Sequence, residues 1–497
     1  VDRFTGIRPI AHVLRGARPD SPALIAASGT WTYAELDEQA DRAAGALWSL
    51  GVRPGDRVAA CLHNDLAIVA AFHGAQRIGA IWAGIGEALA PAEQQRLHDL
   101  CAPAVLLAGH RWRADPASSV GSDRWAALLA TAEPAPDVEH DIDAPAAIAF
   151  TSGTSGNPKA VVHSQRNMLL PGAALVATRG WDTALRKGDS FPLTILNLMI
   201  LSTLTTAQAG GTAVIMDRRD VDGVAEWIAE HRVTVWNGAP AQVYDLARRP
   251  DADLTSLREV WSGGSDTPDA VREAFAATHG SVPRATYGLT EAPTVVAIDP
   301  PGDEWSPGGS GRVLPQFDVA AYDDEGRRLP PGALGELRLA AAQEGPWARL
   351  WRPALGYWSD GAIVPPEPGP FATGDIGTVD EQGRLSVLDR KKMVIIRGGA
   401  NVYPLEVERV LATHPDVTEV AVCPVPDDRL GQRVAALVVS GRPTVDFDAL
   451  AQWCRRELAS YKVPEIWAEV NALPTNAMGK VERARLPDLV TERESGR

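Results

Sequence analysis

The chain has 497 residues, with 48 Lys and Arg against 63 Asp and Glu, for a formal net charge of −15. That length predicts about two to four structural units, and the acidic balance gives no sequence-wide attraction to nucleic acid or to an anionic membrane. The 4 cysteines, Cys61, Cys101, Cys423 and Cys454, stand far apart and outside any metal-ligand spacing, which argues against a disulfide scaffold or a structural zinc site.

No run of about 18 apolar residues occurs, and the first residues lack a basic segment leading into an apolar one. The chain therefore reads as soluble and cytoplasmic, with no membrane insertion. In chain order, Thr32 with Glu35 three residues later is a capping box, opening an amphipathic helix to Leu50 with Leu36, Ala40, Ala43, Ala44 and Leu47 on one face. Turn residues Gly51 to Asp56 lead into a strand at Arg57 to Leu62. An Ala-rich helix follows around Ala67 to Gly79, then strands at Ala104 to Ala108 and Ala147 to Phe150. This alternation predicts α/β layers. A second block of the same kind runs from about Asp189 to Pro300, with strands at Gly211 to Met216 and Val233 to Trp236. After Gly311 short β segments alternate with turns such as Asp323 to Gly326 and Asp380 to Gly383, the pattern of a small barrel-like unit. From Lys391 the remaining residues form a separate small α+β domain. The expected division is a large domain over 1–390 and a small one over 391–497.

The segment Thr151-Ser152-Gly153-Thr154-Ser155-Gly156-Asn157-Pro158-Lys159 alternates hydroxyls and glycines before one lysine. Glycines let main-chain N–H groups approach an anion, hydroxyls add donors, and the lysine adds charge, so the loop can cradle phosphates. It is not a Walker A loop, and by itself it equally describes a polar surface turn. Its company is more specific. Tyr287-Gly288-Leu289-Thr290-Glu291, Thr373-Gly374-Asp375, Asp389-Arg390-Lys391-Lys392, Arg397-Gly398-Gly399-Ala400-Asn401 and Pro474 to Lys480 follow in that order. Together these segments resemble the motifs of the adenylate-forming superfamily of acyl- and aryl-CoA ligases, adenylation domains and firefly-type luciferases, from about Thr32 to the end.

The resemblance implies joining of a carboxylate to the α-phosphate of ATP, release of pyrophosphate, and transfer of the acyl group to a thiol. It places Thr151, Ser152, Gly153, Thr154, Ser155, Gly156 and Lys159 over the β/γ-phosphates. Glu291 is implied as the Mg2+ ligand, with Thr290 beside the phosphates. Tyr287 and Gly288 are placed at the adenine together with Gly263, Gly264 and Ser265, and Asp375 on the ribose with help from Arg390. Lys480 is the implied catalytic lysine, contacting both the carboxylate and the α-phosphate. Lys392 is implied as the hinge of the small domain, and Gly398 and Gly399 as the wall of a pantetheine tunnel.

The acid pocket is expected from Leu196, Asn197, Trp236, Asn237, Gly238, Trp261 and Ala292. The stretch Phe191 to Ile200 has no carboxylate to pair a substrate ammonium, which disfavours α-amino acids, and Ile195 stands where many relatives carry His. Indoles at a buried pocket favour a bulky hydrophobic, cyclic or aryl acid. The expected activity is that of an acid–CoA ligase using ATP, Mg2+ and CoA. A stand-alone enzyme loading carrier-protein phosphopantetheine is the alternative. A catalytically silent binding protein would not need Lys480, Glu291 and Asp375, and no residue demands a luciferase-like oxygenase.

Overall fold

The computed structural model describes residues 8–113, 119–151, 158–263, 267–303, 305–442, 445–475 and 481–495. Two eight-stranded sheets dominate the large part of the chain. The first runs, in spatial order, Ala362–Val364, Gly356–Ser359, Lys159–Ser164, Pro145–Thr151, Ile81–Gly84, Arg57–Cys61, Val105–Ala108 and Ser119–Gly121. Its latter five strands are parallel, and the hairpin arm at the other edge is antiparallel. The second runs Ala292–Ile298, Arg284–Leu289, Glu259–Gly263, Val235–Gly238, Arg186–Asp189, Thr212–Ile215, Pro22–Ala26 and Gly29–Thr32.

Local chemistry explains the elements. Thr32 caps Tyr33–Ser49 through its hydroxyl on the Glu35 N–H, and Glu35 returns a bond to the Thr32 N–H at 2.7 Å. Asp65 caps Leu66–Arg77, whose buried Ala-rich face packs on the first helix. Parallel strands covered by helices on both faces become continuous apolar runs, as in the fully buried Ile81–Gly84 and Val105–Ala108.

Sheet membership does not follow chain order. Strands from 22–32 join the second sheet beside Thr212–Ile215, and strands from 356–364 return to the edge of the first. The sequence pattern marks strands but not their distant neighbours, because pairing is decided by loop closure and by which faces need covering.

The turn-rich region after Gly311 forms a four-stranded antiparallel sheet of Phe317–Tyr322, Gly335–Ala341, Phe371–Val379 and Leu385–Arg390. Its turns close at Asp323 to Gly326 and Asp380 to Gly383 as the sequence pattern predicts. A separate five-stranded sheet then carries Ala400–Val402, Ile395–Arg397, Gly431–Ser440, Val417–Asp427 and Ile466–Glu469, with helices Pro404–Ala412 and Phe447–Glu457. The architecture is a large α/β body with a small β unit, followed by a small α+β unit.

One buried ionic group sits inside the second sheet. Lys187 donates to Asp189 Oδ2 at 2.7 Å, and Ser202 donates to the same oxygen at 2.5 Å. Beside it the guanidinium of Arg179 bonds Glu259 at 3.0 Å. Lys187→Met would strand the buried Asp189 carboxylate, so urea denaturation should show a loss of about 3–5 kcal/mol. A second expectation concerns acid. Burial pushes His163 down to about 4, and burial with the nearby Arg77 pushes His73 down to about 3, from the usual 6.5. The unfolded chain therefore binds more protons below about 6.5, and stability should fall as pH drops from there toward about 4. In a pH series of denaturation curves, His163→Gln should flatten that fall.

Candidate active site

The two ends of the Gly/Ser/Thr loop are held as a hairpin. Thr151 ends one strand and Lys159 begins the next, and the two are register partners. Ser152, Gly153, Thr154, Ser155 and Gly156 lie outside the described residues. Lys159 Nζ stands 5.0 Å from the ring centroid of Tyr357. The hydroxyl of that tyrosine donates to Glu291 Oε1 at 3.3 Å. Burial and the Glu291 carboxylate push the phenol up to about 12, so it keeps its proton and remains a donor. Tyr357 thus joins the expected phosphate lysine to the expected metal ligand across the two sheets. The sequence motifs do not include it, because it arrives from a strand about 200 residues beyond the loop, where no local pattern announces a site.

A second cluster lies around Asp375, only 3% exposed. Tyr287 donates its hydroxyl to Asp375 Oδ2 at 2.6 Å, and Arg390 Nε lies 2.7 Å from Oδ1. Arg390 is the register partner of Asp375 on the neighbouring strand, so the ion pair is a cross-strand pair. Burial and the Asp375 charge raise the Tyr287 phenol well above its ordinary value. Thr290 and Glu291 form the half-buried turn between Arg284–Leu289 and Ala292–Ile298. At Gly288 a Cβ would come within 1.8 Å of the Thr294 carbonyl oxygen, so a side chain there would break this edge of the site. Gly263 ends the adjacent strand, while Gly264 and Ser265 lie outside the described residues.

The acid-pocket residues divide between two faces of the second sheet. Asp189, Asn237 and Trp261 are lateral neighbours on one face. Ala292 and Leu196 are buried, Asn197 is half-buried, and the Leu196–Leu198 turn packs against Ala292–Ile298. Trp261 is fully buried, stacked on Trp181 with centroids 5.5 Å apart, and its indole N–H donates to Glu259. Trp236 corrects the sequence expectation. Its ring packs with Val224, Ile228, Val243 and Phe275 and leaves no room for a Cβ on Gly238, so both belong to the opposite, helix-covered face.

At the small unit, Gly398 and Gly399 have φ of 58° and 86° and form the two-residue turn between Ile395–Arg397 and Ala400–Val402. Positive φ at both central positions is the type I′ geometry that suits a hairpin and favours glycine. Lys392 sits in the short turn Lys391–Met393 that follows Arg390. Asp389 accepts from the Leu405 N–H at 2.8 Å and Arg409 donates to the Val387 carbonyl at 3.2 Å, docking the small unit on the last strand of the large one. Lys480 lies outside the described residues.

Residues 14–344 match the family model described as AMP-binding enzyme, and residues 406–480 match its C-terminal domain. The chain belongs to the AMP-binding enzyme family. Within it, this chain is an acid–thiol ligase of the AMP-forming kind. A long-chain-fatty-acid–CoA ligase of Mycobacterium tuberculosis is 31% identical, over 90% of this chain and 91% of the relative. A fatty acid–[acyl-carrier-protein] ligase of Streptomyces coeruleorubidus is 32% identical, over 95% of this chain and 93% of the relative. The crystal structure of ATP-bound MatB from Rhodopseudomonas palustris superposes with a TM-score of 0.86 at 26% identity, covering 98% of this chain and 99% of that one.

The Tyr357 bridge predicts a kinetic effect. Tyr357→Phe keeps the ring beside Lys159 but removes the donor to Glu291. Steady-state kinetics should show about a tenfold loss in kcat/KM for Mg-ATP, the size of one hydrogen bond to a charged group, with the folding midpoint little changed.

Proposed function

We propose that this AMP-binding enzyme is an acid–CoA ligase that activates a bulky cyclic or aryl carboxylic acid as its acyl-adenylate and passes the acyl group to the CoA thiol. The observation that carries the reading is the pair of tyrosine-bridged clusters: Tyr357 joins Lys159 to Glu291, and Tyr287 joins Asp375 to its Arg390 partner. They supply the cation, carboxylates and donors that a nucleoside triphosphate requires.

The residues fit the implied ligands. Asp375, buried and neutralised by Arg390, has two oxygens suited to vicinal ribose hydroxyls, with Tyr287 beside it for the base. Glu291 offers hard oxygen suited to Mg2+. Among the described residues no three His, Cys, Asp or Glu side chains gather to hold a metal, so the ion would be shared between Glu291 and phosphate oxygens. Bound there, Mg2+ supplies neutralising charge on the phosphates.

The reaction brings one anion onto another. Lys159 and the loop N–H groups of 151–156 hold the phosphates, Lys480 lowers the repulsion between carboxylate and α-phosphate, and Thr290 orients the phosphate oxygens. After pyrophosphate leaves, the 391–497 unit turns about Lys392 and brings Gly398 and Gly399 to the site, where the absence of side chains leaves room for a pantetheine arm. The enzyme works in the cytoplasm, where ATP and CoA are supplied. A carrier protein is the second acceptor to consider, because it presents the same phosphopantetheine and one relative is named for it.

Lys480→Ala should abolish acid-dependent ATP–pyrophosphate exchange and leave thioester formation from supplied acyl-adenylate largely intact; equal loss of both overturns the role given to Lys480. Lys392→Pro should do the reverse, sparing adenylate formation and slowing thioester formation. Comparing CoA with a phosphopantetheinylated carrier protein as acceptor decides between the two thiols.

A further inference from the structure

The strand Leu385–Arg390 ends the large unit, and its last two residues face different partners, as neighbours on a strand do. Arg390 turns to Asp375, while the Asp389 carboxylate, only 2% exposed, turns to the small unit. Lys391 comes next and is pinned to the large unit by Asp324 at 3.1 Å and Glu336 at 3.6 Å. The segment that turns with the small unit therefore begins at Lys392.

Two hydrogen bonds cross that point. Asp389 Oδ2 accepts from the Leu405 N–H at 2.8 Å, and Arg409 Nη2 donates to the Val387 carbonyl at 3.2 Å. Both partners in the small unit lie on the helix Pro404–Ala412. Pro404 has no N–H, so Leu405 offers the first N–H of that helix, a group without a partner inside the helix and at the end where the dipole favours an anion. The charged neighbours of Asp389 also belong to the small unit. Arg483 favours its ionised form and Glu408 opposes it, and Arg483 holds both oxygens of Glu408, at 2.8 and 2.7 Å. Asp389 and Val387 precede residue 392, whereas Leu405, Arg409 and Arg483 follow it. A turn of the small unit about that residue separates each pair, so these bonds belong to one orientation.

The Gly398–Gly399 turn shows which orientation that is. Among the described residues a Cβ on Gly399 would meet nothing within 4 Å, and one on Gly398 only Leu430, itself in the small unit. No described part of the large unit stands against these glycines, so this is not the arrangement in which they line a passage for a pantetheine arm.

We propose that Asp389 is the positioning residue that latches the small unit in the orientation preceding thioester formation, and that release of its bond to Leu405 sets how readily the enzyme passes from its first step to its second. The proposal rests on the two-step ligase reading above. Such a latch alters the chemistry of neither step. It alters the ratio of two populations, so its loss favours one step at the expense of the other.

The test has two arms. In the first, Glu381→Cys and Asp448→Cys, at exposed positions of the large and small units, carry nitroxide labels for electron–electron distance measurement; the four native cysteines are buried and stay unlabelled. Without ligand, the labelled protein with Asp389 intact should give one dominant distance, and Asp389→Ala should add a second population. Arg409→Met, which breaks the other crossing bond and leaves the carboxylate in place, should move the distances in the same direction. In the second arm the substrates are cinnamate with ATP for pyrophosphate exchange, and cinnamoyl-adenylate with CoA for thioester formation. The ratio of thioester formation to exchange should rise about tenfold in Asp389→Ala, the size of one hydrogen bond to a charged group. A merely structural role would lower both rates together and leave the ratio standing. Distances unchanged in both variants, or an unchanged ratio, overturn the latch. Absence of exchange in the wild-type enzyme with any aryl acid overturns the ligase reading instead, and the distances still decide the latch.

Discussion

The carboxylate of Asp375 is the point at which the pieces of this enzyme are joined. One oxygen takes the hydroxyl of Tyr287 from the strand next to the edge of the second large sheet, and the other takes the guanidinium of Arg390 from the strand that leads into the small unit. The residue just before Arg390, Asp389, accepts from the Leu405 N–H. A buried carboxylate with only one of these partners would be costly, so the ion pair and the tyrosine bond are held together or lost together. The same oxygens that organise the protein are those proposed to receive a ribose.

Tyr357 plays the corresponding part between the two sheets. Its strand lies on the first sheet, next to the strand that Lys159 opens, and its hydroxyl reaches Glu291 at the edge of the second. Lys159 and Glu291, the proposed phosphate cation and metal ligand, are thereby linked through one rigid ring. Preorganisation of this kind places the cost of assembling charge in folding instead of in the reaction. On the proposed reading, a chain with net charge −15 would hold a polyanion through a few local positive groups.

The residues expected around the acid follow different physics. Asp189, Asn237 and Trp261 are neighbouring strand positions, and the surroundings of each expected residue depend on which face of the sheet it takes. Trp236 and Trp261 read alike as indoles near a pocket, yet one lies in the core beneath the helices and the other against Trp181. Asp189, just outside the stretch 191–200, is already paired with the buried Lys187 at 2.7 Å.

Much of this protein is determined by its sequence alone. The capping box at Thr32, the buried parallel strands, the turns at Asp323 and Asp380 and the ordered motifs around Tyr287, Asp375 and Gly398 are local, and local chemistry of caps, periodicity and glycine conformation is enough to fix them. The tertiary structure alone decided that strands 22–32 and 356–364 join sheets far from them in sequence, that Tyr357 reaches Glu291, and that Trp236 packs on the helix-covered face. Those outcomes depend on long-range pairing, where the alternation of a strand specifies two faces but not which face meets the ligand; only the packing of one sheet, helix and strand against another makes that choice.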